Sequence, residues 1–308
     1  MERAKNSEFI KYYNAARKPD THKGDYGRVF IVAGSEGMTG AAMLCAEAAV
    51  RTGAGLVYLF APGKILPVYE IGCKEAVKIK VGEEEDAFFK EKHVRQVVDV
   101  IKKSQESACV VVGPGIGRNI QTSKFVKGLL SELSEIDIPV ILDADGLNAY
   151  KNEQYKDFAM PRNTIITPHV GELARLMTVS AEYINKNRAE AAIKASCSIN
   201  AITVLKGNKS LVCPCCASSE ADIYVNSTGN AGMATGGSGD VLAGIISGII
   251  ASDKDKKSIF ELVCCAVFIH GICGDIAAEK YGERAVKAGD LIEMLKVIHK
   301  IEGSIYEI

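Results

Sequence analysis

The chain has 308 residues, 47% hydrophobic and 24% charged, with a formal net charge of −1. This is ordinary composition for a folded globular chain, and its balance supplies no overall field for nucleic acid or an anionic membrane. A polyanionic ligand would therefore have to be held by a local site.

Met1 to Asn14 is polar and charged, unlike a secretory leader, so the expected location is cytoplasmic, with the ten cysteines reduced. No apolar run is expected to reach the roughly 20 residues of a membrane span, and Val241 to Ala251 reads as a buried helix. The first 22 residues read as a helical arm, loosely attached or used in an oligomer contact. Residues 23–308 read as one domain.

Short apolar runs alternate with helical stretches from there on. Val29 to Val32 is followed by an Ala-rich helix over Gly40 to Thr52, then by the strand Leu56 to Phe60. The acidic run Glu83-Glu84-Glu85-Asp86 reads as a solvated loop or helix start, with a helix over Val94 to Lys103 after it. Further strands are expected at Cys109 to Val112, Pro139 to Leu142, Thr164 to Thr167 and Ile202 to Leu205, with helices at Ser123 to Leu133 and Asn187 to Ile199. Continuous apolar strands separated by helices imply a parallel sheet buried on both faces, an α/β fold. Ser210 to Val212 and Ile223 to Val225 suggest an antiparallel hairpin enclosing Cys213-Pro214-Cys215-Cys216. Those cysteines lack a second Cys/His pair at zinc spacing, and a surface hairpin is the reading. The remainder is helical: Val241 to Ala251, Ile259 to Lys280 and a last helix capped by Asp290.

The unusual residues gather where strands end, the place where ligands bind in such sheets. Gly236-Gly237-Ser238-Gly239-Asp240 feeds directly into an apolar helix. Glycines let successive amides face one centre, and a helix amino end adds partial positive charge, so Gly237, Ser238 and Gly239 form a candidate anion hole. Asp240 beside it could take a proton from a hydroxyl during phosphoryl transfer, or could serve only as a helix cap. Gly34 to Ala41 and Gly113-Pro114-Gly115-Ile116-Gly117 are further glycine-rich loops, neither of them a Walker A loop or a dinucleotide fingerprint. Asp143 and Asp145 could hold Mg²⁺ or a substrate hydroxyl, or could cap a turn. His169 and Lys206-Gly207 sit at the next two strand ends, as candidate contacts for a ligand and for a phosphate.

Taken in order, Lys23-Gly24-Asp25-Tyr26-Gly27-Arg28, Ala33-Gly34-Ser35, Gly113 to Gly117, Asp143-Ala144-Asp145, Thr167-Pro168-His169, Lys206-Gly207 and Gly237-Ser238-Gly239-Asp240-Val241-Leu242-Ala243-Gly244 resemble the nucleotide-dependent NAD(P)H-hydrate dehydratases of the ribokinase-like superfamily. The resemblance runs from about Lys23 to the C-terminal helix. It implies a three-layer α/β/α sandwich with a mostly parallel sheet. It also implies a metabolite-repair activity: dehydration of the S epimer of hydrated NADH or NADPH (NADHX, NADPHX), coupled to hydrolysis of ADP, or of ATP in eukaryotic members, with Mg²⁺. Carried over by position, Ala41, Gly117, His169 and Asp240 match hydrate contacts, with Asp240 as catalytic base. Lys206, Gly207, Asn208, Lys209, Ser210 and Gly239 match the positions that hold the AMP part of the nucleotide. Ser238 stands where Thr is common and Val170 where Pro is usual. The resemblance further implies a homotetramer, and an epimerase carried by a separate protein because Lys23 comes too early for a fused one. The alternatives are a vitamin-precursor kinase of the same superfamily, of the hydroxyethylthiazole or hydroxymethylpyrimidine type, and a nucleotide-binding sensor without catalysis.

Overall fold

The computed structural model describes residues 2–104, 108–150, 160–254 and 257–301. One sheet of nine strands runs through it in the order β3-β2-β1-β4-β5-β6-β7-β8-β9. The first seven strands are β1 (Arg28–Val32), β2 (Leu56–Pro62), β3 (Val77–Val81), β4 (Ala108–Val112), β5 (Val140–Leu142), β6 (Thr164–Ile166) and β7 (Ile202–Leu205). All seven pair in parallel. β8 (Leu211–Cys213) and β9 (Tyr224–Val225) add an antiparallel edge, as the expected hairpin requires.

The strands are apolar throughout because both faces are covered. Val29 and Ile31 of β1, and Cys109 and Val111 of β4, point into one core. Phe30 and Val32, with Val110 and Val112, point into the other. The first core lies under α2 (Thr39–Thr52), α10 (Ser238–Ser252), α11 (Ile259–Tyr281) and α12 (Ala288–Met294). The second lies under α4 (Val94–Lys102) and α5 (Ile120–Leu133). The result is the expected three-layer sandwich. Helix α10 is apolar on all sides and lies directly on α2. A β-carbon at Gly244 would stand 2.3 Å from the Cys45 carbonyl oxygen, so only glycine permits this approach.

Four local expectations are corrected. First, β3 was absent from the sequence reading. It is an edge strand in which Lys78 and Lys80 interrupt the apolar residues. Second, the acidic run is not all solvated: Glu83 to Glu85 are exposed, but Asp86 is buried against His93 Nε2 at 3.1 Å and pairs with Lys90. The following chain folds back over it and supplies cationic partners. Third, α11 is long and apolar enough to cross a membrane by length and composition alone. Val263, Ala266, Phe268 and Ile269 are fully buried in the sandwich, which accounts for the apolar run. Fourth, Asp290 is the third residue of α12, not its cap. It acts from there by accepting the Lys287 N–H at 3.0 Å.

Helix α1 (Glu2–Tyr13) lies against α11. Ile10 is 2% exposed, and burying such a side chain is worth about 1.5–3 kcal/mol. Phe9 packs on Phe268 and Tyr224, and the Tyr12 hydroxyl donates to Asp253 at 2.8 Å. These contacts dock the helix on the domain rather than leaving it loosely attached.

Candidate active site

The loops that leave β1, β4, β5, β6 and β7 stand side by side at the carboxyl edge of the sheet, and backbone hydrogen bonds join each to a neighbouring loop or strand end. The Gly34 N–H donates to the Pro114 carbonyl at 2.8 Å, Asp143 N–H to Val112 at 3.1 Å, Thr167 N–H to Leu142 at 3.3 Å and Lys206 N–H to Pro168 at 2.9 Å. His169 and Lys206 add one parallel bridge beyond the named strands. The sheet ladder thus continues into the loops.

The two aspartates after β5 part company. Ala144 between them takes φ 49°, in the left-handed region, and turns the chain sharply. Asp145 opens α6 (Asp145–Tyr150) and pairs with Arg118, while the Gly117 N–H reaches its Oδ2 at 3.3 Å. It therefore ties down the Gly113–Gly117 loop. Asp143 is 1% exposed. Its Oδ1 accepts from Thr167 Oγ1 at 2.6 Å and from Lys206 Nζ at 2.9 Å. Its Oδ2 is buried with no hydrogen-bond partner. Burial opposes the charge on Lys206, but Asp143 and Glu172 outweigh it and hold its pKa above the usual lysine value.

Helix α10 brings the fourth side of the site. Gly237 at its N-cap takes φ 91°, a conformation suited to glycine, and Asp240 is the third helical residue. Asp240 is therefore not the cap of the helix, which removes the simplest structural account of it. The first amides of a helix have no acceptor within it, and the partial positive charge of its amino end lies here. Ser238 N–H is partly engaged, donating to Thr235 at a long 3.4 Å, which leaves Gly239 and Asp240 as the main amide donors. A β-carbon on Gly239 would lie 3.1 Å from Lys206 Nζ and 4.0 Å from Asp143 Oδ2. The anion hole, the lysine and the buried carboxylate thus face one space. Burial, reinforced by the negative charge of Asp143 and only partly offset by Lys206, pushes the Asp240 carboxyl up to about 7. That is the value a base working near neutrality requires.

His169 is the N-cap of α7 (Val170–Met177), and its Nδ1 accepts the N–H groups of Gly171 and Glu172 at 3.0 and 3.3 Å. Those bonds assign the ring proton to Nε2, which lies 3.5 Å from Glu172 Oε1 and is the donor His169 can offer a ligand. Partial burial, with Lys206 and Arg175 nearby, lowers its pKa and outweighs Glu172. Val170 occupies the first helical position, where proline is favoured but not needed. The capping geometry of His169 is complete without it.

The remaining residues fall into two groups. Ala41 and Gly117 lie beside the loops that leave β1 and β4, lined up through Gly115 and Ser35. A β-carbon on Gly115 would stand 3.0 Å from that of Ala41, and one on Gly117 would stand 3.5 Å from Ser35 Oγ. Gly207, Asn208 and Lys209 are exposed in the turn between β7 and β8, with Ser210 closing it by an Oγ–Gly207 carbonyl bond of 3.0 Å. The sequence reading missed Arg188, whose guanidinium donates to the Leu205 and Lys209 carbonyls at 3.4 Å beneath this turn. It placed Thr167 in a motif but not the role of its hydroxyl, which fixes Asp143, and it missed His270. The ring of His270 on α11 reaches the Ser238 carbonyl at 3.1 Å and its hydroxyl at 3.4 Å. Burial lowers its pKa to about 4, so it is neutral. Asp275, one turn on, accepts from Gly229 N–H and Asn230 Nδ2, both at 2.9 Å. Within an apolar helix, His270 carries no sequence signal that separates it from a core histidine.

Among the described residues, no group of three His, Cys, Asp or Glu side chains is arranged to hold a metal ion. The orphaned Asp143 Oδ2 is nevertheless a hard oxygen donor beside the anion hole, of the kind Mg²⁺ accepts when phosphates supply other ligands.

Comparison with known proteins follows the same lines. A family model described as NAD(P)H-hydrate dehydratase matches residues 29–297. The ADP-dependent (S)-NAD(P)H-hydrate dehydratase of Neisseria meningitidis serogroup B is 36% identical over 279 residues, covering 90% of this chain and 86% of that protein. The bifunctional NAD(P)H-hydrate repair enzyme Nnr of Moorella thermoacetica is 35% identical over 283 residues, covering 92% of this chain but 51% of that one. The chain thus spans about half the length of the bifunctional relatives it matches. The crystal structure of the Bacillus subtilis ADP/ATP-dependent NAD(P)H-hydrate dehydratase, co-crystallized with ATP/Mg²⁺, superposes with a TM-score of 0.75 at 27% identity, covering 96% of each chain. By the match of the family model and by its similarity in sequence and fold to these relatives, the chain belongs to the NAD(P)H-hydrate dehydratase family.

Proposed function

We propose that the chain restores NAD(P)H from the S epimer of its hydrate, coupled to conversion of ADP to AMP and phosphate. One observation carries the chemistry: the Asp240 carboxyl, raised to about 7, stands in the first turn of α10 beside Gly239 and Lys206. Asp240 takes the proton of the ring hydroxyl as that oxygen attacks the terminal phosphoryl group of ADP, and AMP leaves. The amides of the first turn of α10 face the charge on the transferring group, and Lys206 meets it as a point charge. The ring nitrogen lone pair then expels phosphate by breaking the carbon–oxygen bond. Loss of a proton from the adjacent ring carbon restores the dihydronicotinamide. Hydrate and ADP give NAD(P)H, AMP and phosphate, so the balance closes. Phosphate leaves far more readily than hydroxide, which is why a dehydration is run on a phosphoryl-transfer fold.

Ala41, Gly117 and His169 would hold the hydrate, and Lys206 to Ser210 with Gly239 the AMP part of the nucleotide. Mg²⁺, held by Asp143 and the phosphates, would neutralise phosphate charge. A homotetramer in the cytoplasm, with a separate epimerase supplying the S epimer, completes the proposal. The test is purified protein with NADHX and ADP. Recovery of the near-ultraviolet absorbance of NADH with release of AMP is expected. No recovery with either ADP or ATP overturns the proposal, and a phosphorylated thiazole or pyrimidine product would move the chain to the vitamin-precursor kinases.

A further inference from the structure

The loop between β8 and β9 carries a thiol cluster that the reaction does not use. β8 leaves the nucleotide turn at Leu211 and ends at Cys213, which pairs with Thr203 near the start of β7. The cluster therefore lies at the end of the sheet opposite the reaction cleft. Side chains of successive residues in extended backbone point to opposite sides. Here Cys216 takes φ 54°, and the turn brings both sulfurs to the same side. Cys215 Sγ and Cys216 Sγ stand 3.6 Å apart, both exposed, and both reach the Asn200 Oδ1 at 3.1 and 3.7 Å. Of the neighbouring thiols, Cys213 is buried against Ser196 Oγ at 3.5 Å, and Cys197 is exposed and reaches the Ala217 carbonyl at 3.8 Å.

Two sulfur bonds of about 2.3 Å to one pyramidal trivalent centre, opened by little more than a right angle, place the sulfurs about 3.4 Å apart. The Cys215–Cys216 spacing is within a few tenths of an ångström of that bite. A structural zinc needs four protein ligands, and among the described residues no group of three His, Cys, Asp or Glu side chains is arranged to hold a metal ion. A trivalent arsenical needs two thiols and brings its own third substituent.

We propose that Cys215 and Cys216 form a bidentate dithiol site that captures trivalent arsenicals. For an arsenoxide the step is a condensation: the As=O oxygen leaves as water with the two thiol protons, and two As–S bonds form. Arsenic stays trivalent, and no oxidant or reductant is needed. A peroxide-sensing disulfide is the weaker use of the same pair. Burial and the adjacent Cys216 push the Cys215 thiol up to about 11, so little thiolate is present to attack a peroxide.

The probe is phenylarsine oxide, read by intact mass of the full chain. One phenylarsenic per chain is expected, stable to excess 2-mercaptoethanol and released by 2,3-dimercaptopropanol. Cys215→Ser and Cys216→Ser should each weaken retention by about a hundredfold, the usual gain of a second linked contact. Cys197→Ser should leave it unchanged. Retention at the parent level in either of the first two variants, or its loss in the third, overturns the assignment. So does an adduct that a monothiol removes as readily as a dithiol. Because the readout is mass, this outcome is independent of the dehydratase proposal.

Discussion

Lys206 Nζ donates to Asp143 Oδ1 at 2.9 Å, and the pair joins the strand ends of β5 and β7 beneath the first turn of α10. The lysine is therefore anchored before any phosphate arrives, and the aspartate lends negative charge to Asp240. Asp143→Asn removes that charge. The acid limb of the pH–rate profile, set near 7 by Asp240, should move to lower pH. An unmoved limb would mean that Asp143 does not act on Asp240 electrostatically.

Asp240→Asn should lower turnover by about 10²–10⁴-fold while ADP still binds, as measured by calorimetry. It should also stabilise the fold in mild alkali. The folded-state pKa of about 7 lies above the ordinary carboxylate value of 3.8, so the folded state holds this proton more tightly. Between those two values stability falls as pH rises, and above them the full cost of the buried carboxylate is present. The melting temperature of the variant should exceed the parent's at about pH 8, with the gap closing toward about pH 4. Equal melting temperatures throughout would place Asp240 in contact with water.

His270→Ala should leave the Ser238 carbonyl without its ring partner inside the core. The cost is about 1–3 kcal/mol of stability. If the ring also positions the anion hole, kcat falls more than KM for the nucleotide rises, and His270→Gln, which keeps a donor, restores part of kcat. Loss of stability with unchanged kcat would confine His270 to the core.

Asp86 behaves in the opposite sense to Asp240. Burial opposes its charge, but Lys90, the Glu83 N–H and His93 outweigh it and hold the carboxyl well below the usual range. Its contribution is complete above the unfolded value near 3.8 and is lost as pH falls below it. Asp86→Asn should cost about 1–3 kcal/mol near neutrality, measured by urea unfolding. The difference from the parent should shrink in acid.

The legibility of the chain followed burial pattern. β1, β4 and β7 are uninterrupted apolar runs because helices cover both faces, and such runs are visible in the sequence alone. β3 was not, since an edge strand can carry Lys78 and Lys80 on its half-exposed surface. The site was legible where glycine or a charged residue interrupts a strand end, as at Gly113, Asp143 and Lys206, or opens a helix, as at Gly239. It was illegible where support comes from a distant element. Nothing near His270 in the sequence points to Ser238, which lies 32 residues away, and Arg188 lies in an ordinary helix start. Asp86 misled for a related reason: a run of acids is normally solvated, and only the return of the chain through Lys90 and His93 makes burial of one of them tolerable.

The amide bonds that tie the site's loops to neighbouring loops and strand ends at the carboxyl edge have a thermodynamic consequence. The conformational entropy of arranging Gly34, Asp143, Thr167 and Lys206 relative to one another is lost once, when the parallel strands pair during folding. It is not lost again at each encounter with a ligand, so more of the intrinsic interaction energy remains available as affinity and as orientation of the reacting atoms.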